Sequence, residues 1–215
     1  MIIAGIDPSI NSTGCVKFEL DDGLNIQSTK FLAFTQKKKD IADNILYFRK
    51  KDFKWFEQLE WMSEKILDFT KDCEYIACED YAFGAIGMVF QIGEFCGNLK
   101  LNFYRTAKLR LYDPLSVKMF VKDGHAQKIH MEEEFYKRVE SKNFSIGHLK
   151  SEDTPKSDII DAFWIVELLR TELQLRKALI SLKDLDERII RIFNRVTTKR
   201  PVNILDQDFI QKDLK

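Results

Sequence analysis

The first 35 residues contain three strand-like runs joined by short turns, and this pattern constrains the fold more than any other. Residues 2–6 (IIAGI) form a continuous apolar run, and residues 15–20 (CVKFEL) alternate between apolar and polar. Residues 25–35 (NIQSTKFLAFT) follow a turn at Asp21–Gly23. Strands joined by turns this short pair in antiparallel fashion. The sequence therefore predicts an antiparallel meander at the start of the chain.

Helical and strand patterns alternate in the rest of the chain. Apolar residues recur at helical spacing over 40–72, as one long helix or as two helices broken near 50–54, and residues 75–79 (YIACE) are a short strand pattern. Further helices are predicted at 87–103, 114–121, 127–140 and 156–194, the last too long to be unbroken, with a strand at 110–112. A meander followed by such an alternation predicts an α/β fold with a mixed central sheet flanked by helices.

The composition limits the classes of function. Hydrophobic residues make up 45% of the 215 residues, which is typical of a globular protein, and the 34 basic and 34 acidic residues cancel. A phosphate-binding surface would therefore have to come from an uneven distribution of charge. No apolar run reaches the ~20 residues of a membrane helix, and the N-terminus lacks the basic region of a signal peptide. We therefore expect a cytoplasmic protein with no membrane partner.

The four cysteines, Cys15, Cys73, Cys78 and Cys96, form no C-x-x-C pair and lie within strand or helix patterns. Cysteines of this kind are typical of buried free thiols in a reducing compartment, rather than of zinc ligands or disulfides.

Four carboxylates stand out by position. Asp7 ends the first strand and Glu79 ends the YIACE strand, so their side chains lie close together if the two strands are neighbours. Asp158 and Asp161 are three residues apart in the apolar helix pattern KSDIIDAFWIV, which places both on one helix face. Each acid alone also has an ordinary explanation, as a turn residue for Asp7 or a helix N-terminal residue for Asp158. If the four meet, an all-oxygen donor set suits two Mg²⁺ or Mn²⁺ ions, which promote phosphodiester hydrolysis.

The motifs around these acids resemble those of the RuvC family of Holliday-junction resolvases, which have an RNase H-like fold. GIDPSINSTG resembles the first family motif, CEDYAFG the second acidic strand and SDIIDA the final D-x-x-D-A helix. DPLSVKMFVKDGHAQK is similar to the segment that carries a proline, two DNA-contacting lysines and a glycine turn. The similarity covers roughly residues 1–170 in the right order and looks like that of a phage-type member. The sequence departs from the pattern at Ser9, where the family has glycine, and at Lys122, which replaces one of two glycines.

The resemblance implies a nuclease domain over 1–170, followed by a C-terminal helical extension and peripheral tail over 171–215. It implies that the four acids bind two Mg²⁺ ions, with Mn²⁺ as a substitute, and are catalytic. It also implies phosphate contacts from Lys118 and Lys128, and a base-stacking or wedge role for Tyr81 or Phe83, for which core packing is an equal alternative.

A basic segment supports the nucleic-acid interpretation. Residues 104–128 carry six cations against two acids, namely Arg105, Lys108, Arg110, Lys118, Lys122 and Lys128 against Asp113 and Asp123. Because acids alone would repel DNA phosphates, a basic segment beside them is what a nuclease needs. A solvated helix face is the alternative. We expect Lys122 and Arg105 to contact DNA as well.

Together these features predict a structure-selective endonuclease that resolves four-way junctions and other branched DNA by two-metal-ion hydrolysis. Two opposed cuts call for two active sites, so we expect a C₂ homodimer. The resemblance implies that helix 87–103 forms its interface and, if the chain is phage-encoded, that it acts in the host bacterial cytoplasm. The alternatives are a branched-DNA binding module with weak or lost cleavage, and another RNase H-like nuclease such as a hybrid ribonuclease or an exonuclease.

Overall fold

A mixed six-stranded sheet forms the centre of the molecule. The computed structural model describes residues 1–38, 43–80, 88–139, 144, 146, 149, 155–196 and 202–212. The strands are β1 (Ile2–Asp7), β2 (Gly14–Leu20), β3 (Ile26–Thr35), β4 (Ile45–Tyr47), β5 (Tyr75–Glu79) and β6 (Lys108–Tyr112). They lie in the order β4-β3-β2-β1-β5-β6. The first three are antiparallel, whereas β4 pairs with β3, β5 with β1 and β6 with β5 in parallel.

Helices cover both faces of this sheet, as the α/β prediction requires. They are α1 (Trp55–Thr70), α2 (Val89–Thr106), α3 (Pro114–Val121), α4 (Lys128–Val139), α5 (Lys156–Arg176) and α6 (Glu187–Asn194). The apolar side chains of α3, α4, α5 and α6 form one core with one face of the sheet, and those of α1 and α2 form a second core with the other. None of the helices in the described ranges is long and apolar enough to cross a membrane. All four cysteines are buried free thiols, as predicted.

The prediction of a helix from residue 40 is wrong in its first half. Ile45–Tyr47 forms strand β4, a 3-10 turn follows at Lys50–Asp52, and α1 begins only at Trp55. The amide of Ala33 in β3 donates to the carbonyl of Asn44, and Ile45 is fully buried. The edge of β3 therefore offers backbone partners that helical spacing along the sequence does not reveal.

The long C-terminal helix pattern is broken, as predicted. α5 ends at Arg176, and Ala178 adopts a positive φ of 53°, a left-handed conformation that stops a helix. The domain boundary expected at residue 170 falls inside α5. Ile192 and Phe193 of α6 are fully buried in the same core as α5, so the extension packs directly on the rest of the α/β fold.

The described part of the tail is tied down as well. Ile210 forms an antiparallel bridge with Leu109 at the free edge of β6, and the Phe209 ring stacks edge-on against Tyr75. Arg176 donates to the backbone carbonyls of Ile204 and Gln207 at 2.7 and 2.6 Å. Residues 202–212 therefore cover the edge strand β6 and pack on the sheet, whereas the sequence predicts only a peripheral tail.

Candidate metal centre and nucleic-acid interface

The sheet places Asp7 and Glu79 at one edge and on one face. β1 and β5 are parallel neighbours in register from Ile3↔Tyr75 to Ile6↔Cys78, so both strands end at the same edge. Successive side chains of a strand point to opposite faces. Ile3 and Ala77 belong to the core on the α5 side, so Asp7 and Glu79, which lie an even number of residues further on, also face α5.

Two glycines let α5 lie directly on this face. A Cβ atom at Gly5 of β1 would stand 2.4 Å from the carbonyl oxygen of Ala162, and one at Gly14 of β2 would stand 2.0 Å from that of Asp158. Because Gly14 pairs with Asp7 across the β1–β2 ladder, this close approach brings Asp158 beside Asp7. Asp161 follows one helical turn later on the same side of α5.

The four acids repel one another electrostatically. Burial raises the pKa of Asp7 well above its usual range, and the charges of the other three acids raise it further. Burial and the charge of Asp161 raise the pKa of Glu79 to about 7, although a hydrogen bond with Asp7 opposes the shift. Burial raises the pKa of Asp161 to about 6. The sequence-predicted acids therefore form one coupled cluster.

Asp158 is the least exposed of the four acids, with 8% of its surface exposed. Burial raises its pKa to about 7, and the charge of Asp161 adds to the effect, against a hydrogen bond from Ser12. The buried Ser12 hydroxyl contacts both Asp158 Oδ2 and the carbonyl oxygen of Phe34, the latter at 3.0 Å. Ser12 was not among the candidates from the sequence, because nothing in the polar stretch around it marks one hydroxyl as a partner of Asp158.

Lys118 and Lys128, for which the resemblance implies phosphate contacts, lie close enough to the acids to act on them electrostatically. The charge of Lys118 lowers the pKa of Glu79, and the charges of both lysines lower that of Asp161. Lys128 Nζ also donates to the hydroxyl of Ser157 at 3.3 Å. Both lysines are exposed. A basic surface therefore borders the acidic centre on the α3 and α4 side.

Other sequence candidates lie elsewhere. Lys122 is exposed at the C-terminal end of α3, one turn beyond Lys118. Arg105 lies near the end of α2, three residues before Lys108, which pairs with the first residue of β5. Arg105 is therefore near the sheet edge opposite the four acids. Tyr81 and Phe83 lie outside the described residues.

The basic segment is less available for DNA than its charge count suggests. Arg110 is buried and pairs with Glu172 at 2.6 Å, so its charge is neutralised inside the fold. Lys108 pairs with Glu74 at 3.3 Å at the far edge of the sheet. The cations of this segment that border the acids are those of α3 and the start of α4.

The donor set fits a hard divalent cation. The cluster consists of carboxylates alone, which are the ligands that Mg²⁺ and Mn²⁺ prefer. The raised pKa values of Glu79 and Asp158 reflect burial and the repulsion of each by Asp161, which a bound cation would relieve. Within the described ranges, no three acidic, histidine or cysteine side chains already stand at metal-ligand spacing. The acids thus form an electrostatic cluster rather than a closed coordination shell.

The mixed sheet, with its antiparallel meander, parallel β5 and β6 and α5 across β1, is an RNase H-like α/β fold. Comparison with solved structures finds the same fold in RuvC of Thermus thermophilus, at a TM-score of 0.55 and 18% identity over 83% of this chain and 98% of that one. T. thermophilus RuvC in complex with Holliday junction substrate matches at a TM-score of 0.54 and 16% identity, over 83% of this chain and 96% of that one. The resemblance to RuvC is thereby confirmed at the level of the fold. No protein-family model and no curated protein matches the chain.

Proposed function

We propose that this protein is a structure-selective endonuclease that resolves four-way junctions and other branched DNA by two-metal-ion hydrolysis. The observation that carries the proposal is the convergence of Asp7, Glu79, Asp158 and Asp161 into one coupled cluster at a single sheet edge. A buried group of four acids is costly for a fold unless cations compensate it, and such perturbed groups are typical of functional sites.

The four carboxylates would hold two Mg²⁺ ions, for which Mn²⁺ would substitute. When bound, such ions supply an activated water at neutral pH and stabilise the charge on the leaving oxygen. The protein holds the carboxylates in place, because β1 and β5 fix Asp7 and Glu79 while α5, seated on Gly5 and Gly14, fixes the other two. The Ser12 hydroxyl orients Asp158 from behind.

The lysines would bind the DNA backbone. Lys118 and Lys128 lie close enough to the acids to lower the pKa of Asp161, so a phosphate held by these lysines would lie beside the cluster. The comparison structure of this fold with a Holliday junction substrate supports branched DNA as the ligand class. Contacts from Lys122 and Arg105, and from Tyr81 or Phe83, stay predictions.

A C₂ homodimer would supply the two active sites that paired cuts need. α2 offers a suitable face: Phe90 is 86% exposed, and Met88, Val89 and Leu101 are exposed as well. Exposed apolar side chains grouped on one helix are typical of an interface with another protein copy. We expect such a dimer to act in the cytoplasm, that of the bacterial host if the chain is phage-encoded.

The test is cleavage of a synthetic four-way junction, with one labelled strand, in Mg²⁺. We expect the wild type to cut and Asp7→Asn to lose at least 100-fold in rate, since removing a catalytic carboxylate removes the metal site. Asp22→Asn, in an exposed turn, is the matched control and should cut normally. Normal cutting by Asp7→Asn would overturn the metal assignment.

The same assay separates the alternatives. Competition among four-way junction, linear duplex and RNA–DNA hybrid identifies another RNase H-like nuclease if the hybrid or duplex is preferred. Binding of the junction in EDTA, with no cleavage in either Mg²⁺ or Mn²⁺, identifies a binding module. The four retained acids favour the enzyme over the binding module.

A further inference from the structure

Helix α6 of the C-terminal extension lies against α3, the helix that carries Lys118. At one end of the pair, Arg188 donates to the carbonyl oxygen of Val121, the last residue of α3. At the other end, Arg195 pairs with Asp113, the N-cap of α3, at 3.3 Å. The start of α6 thus meets the end of α3 and the end of α6 meets the start of α3. The two helices are therefore antiparallel, and α6 runs back toward the end of the sheet at which Asp7 and Glu79 lie.

This direction places Arg195 near the candidate metal centre. Asp113 directly follows Tyr112, which is the residue of β6 that pairs with Glu79. The charge of Asp113 acts on Glu79 and raises its pKa, so the two side chains are electrostatic neighbours. Arg195, in contact with Asp113, is therefore one side chain away from the acidic cluster.

The surface shared by α3 and α6 is basic and open. Arg191 is 72% exposed, and it lines one cleft together with Arg195, Leu115 and Met119. With their capping residues, the two helices carry five cations against three acids, a net charge of +2. The acids are Asp113, Asp186 and Glu187, and the cations are Lys118, Lys122, Arg188, Arg191 and Arg195.

We propose that α6 is part of the DNA-binding surface, and that Arg191 and Arg195 contact backbone phosphates next to the scissile phosphate on the α3 side. This inference rests on the proposed function and extends its interface into the C-terminal extension. The chemistry suits the role, because a guanidinium presents five N–H donors and can bind a phosphate oxygen while it keeps a carboxylate partner. Asp113 then orients Arg195 rather than neutralising it fully, since both side chains keep solvent contact.

The ordinary alternative is that these arginines form structural ion pairs only. Arg191 pairs with Glu187 at 3.3 Å, but both side chains are highly exposed, and such surface pairs contribute little to stability. Ion pairing of this kind therefore does not explain why Arg188, Arg191 and Arg195 follow one another along α6 toward the end of the sheet at which Asp7 and Glu79 lie.

The test measures binding of a synthetic four-way junction in EDTA over a range of salt concentrations. Each phosphate contact contributes about 0.9 to the slope of log affinity against log salt. We expect Arg191→Gln to lower the slope by about 1, and the double variant Arg191→Gln/Arg195→Gln to lower it by about 2, with at least a tenfold loss of affinity. Arg195→Lys should keep most of the slope, because it keeps the charge.

The matched control is Lys65→Gln/Lys71→Gln, which also removes two exposed cations, one of them paired with an acid on its own helix. Lys65 lies on α1 and Lys71 is its C-cap, on the opposite face of the sheet, and the loss of both should leave the slope unchanged. Arg191→Gln guards against misfolding, because its side chain is 72% exposed and contributes little to the core. An unchanged slope in both arginine variants, with a wild type that binds the junction, overturns this inference alone. A wild type that binds no branched DNA overturns the proposed function.

Discussion

At the scale of single residues, the buried carboxyl group of Asp158 makes the stability of the protein depend on pH. Its pKa is raised from 3.8 to about 7, first by burial and then by the charge of Asp161. A carboxyl group whose pKa is higher in the folded state binds its proton more tightly there than in the unfolded chain. Its contribution to stability is therefore fully present below about pH 4 and is lost as pH rises through about 7.

The raised pKa of Asp158 leads to a prediction for the stability of Asp158→Asn in the metal-free protein. At pH 8 in EDTA the variant should be more stable than the wild type by about 1–3 kcal/mol, because it removes a buried charge. The gain should shrink at pH 5, where Asp158 is protonated. Urea unfolding at the two pH values measures the difference, with Asp22→Asn as a control that should show none.

Added Mg²⁺ should reverse the order, since a ligand that binds only the folded state stabilises it by mass action. The wild type should gain stability with Mg²⁺ and Asp158→Asn should gain little. A variant that is less stable than the wild type at pH 8 in EDTA would contradict the electrostatic account of this site.

At the scale of elements, the seat of α5 on β1 and β2 decides the geometry of the centre. A methyl group at Gly14 would stand 2.0 Å from the carbonyl oxygen of Asp158, which belongs to the backbone and cannot rotate away. α5 would have to move, and its two acids would move with it. The helix that carries half of the acidic cluster is thus held in place by the absence of a side chain.

We therefore predict that Gly14→Ala destabilises the fold by about 3 kcal/mol, as overpacking does, and lowers cutting at least 100-fold. Gly93→Ala is the matched control for stability, because a Cβ atom there meets nothing within 4 Å. It should leave the free energy of unfolding unchanged or raise it by up to ~1 kcal/mol, since alanine is the better helix former. Urea unfolding and the junction assay measure both effects, and normal cutting by Gly14→Ala would refute the seating argument.

The elements that sequence predicted correctly are those with local signals. α3 spans Pro114–Val121 as predicted, because Asp113 caps it and Pro114 suits its first turn. β1 and β5 are marked by short apolar runs that end in an acid. By contrast, β4 is a strand only because β3 lies beside it, a tertiary contact that overrides the local spacing.

The candidate site likewise contains residues that local sequence patterns identify and residues that they do not. The four acids were predictable, because each stands at a strand end or on a helix face that the pattern identifies. Ser12 was not, since a hydroxyl in a polar turn has no distinguishing neighbour along the sequence. The sequence could not show that Arg105 lies at the end of the sheet opposite the four acids, or that Arg110 pairs with buried Glu172. Both depend on tertiary contacts, which only the three-dimensional structure supplies.

At the scale of the whole molecule, one buried carboxylate joins the C-terminal extension to the sheet. Glu172 of α5 accepts hydrogen bonds from Arg110 of β6 and the Tyr112 hydroxyl, each at 2.6 Å, and from Arg176 at 2.8 Å. Arg110 and Arg176 in turn donate to the carbonyl of Gln207 in the tail. Cutting the chain after residue 170 would therefore remove Glu172 and leave Arg110 buried without its charge partner.

We predict that Glu172→Ala destabilises the protein by about 3–5 kcal/mol, because it leaves buried arginine charge uncompensated. Glu134→Ala, which breaks an exposed pair with Lys137, is the matched control and should change stability by no more than about 0.5 kcal/mol. Urea unfolding compares the two. A small effect of Glu172→Ala would mean that buried Arg110 does not depend on Glu172 to compensate its charge.

The proposed function makes the quaternary structure decisive, since resolution of a junction needs two cuts in opposed strands while the junction stays bound. Phe90 is the most exposed large apolar side chain described, at 86%, and lies at the start of α2. If α2 forms the dimer interface, Phe90→Glu would remove apolar contact area and bring two like charges into the interface, which disfavours the dimer.

We predict that Phe90→Glu is monomeric by light scattering at concentrations where the wild type is dimeric. On a supercoiled plasmid with an extruded cruciform, the wild type should yield mainly linear product, because both cuts fall within one binding event. The monomer should yield mainly nicked circles, since its single cut relaxes the plasmid and removes the cruciform before a second cut. Leu179→Glu, at an exposed apolar residue in the loop after α5, is the control and should behave as the wild type. A dimeric Phe90→Glu that still makes linear product would place the interface away from this end of α2.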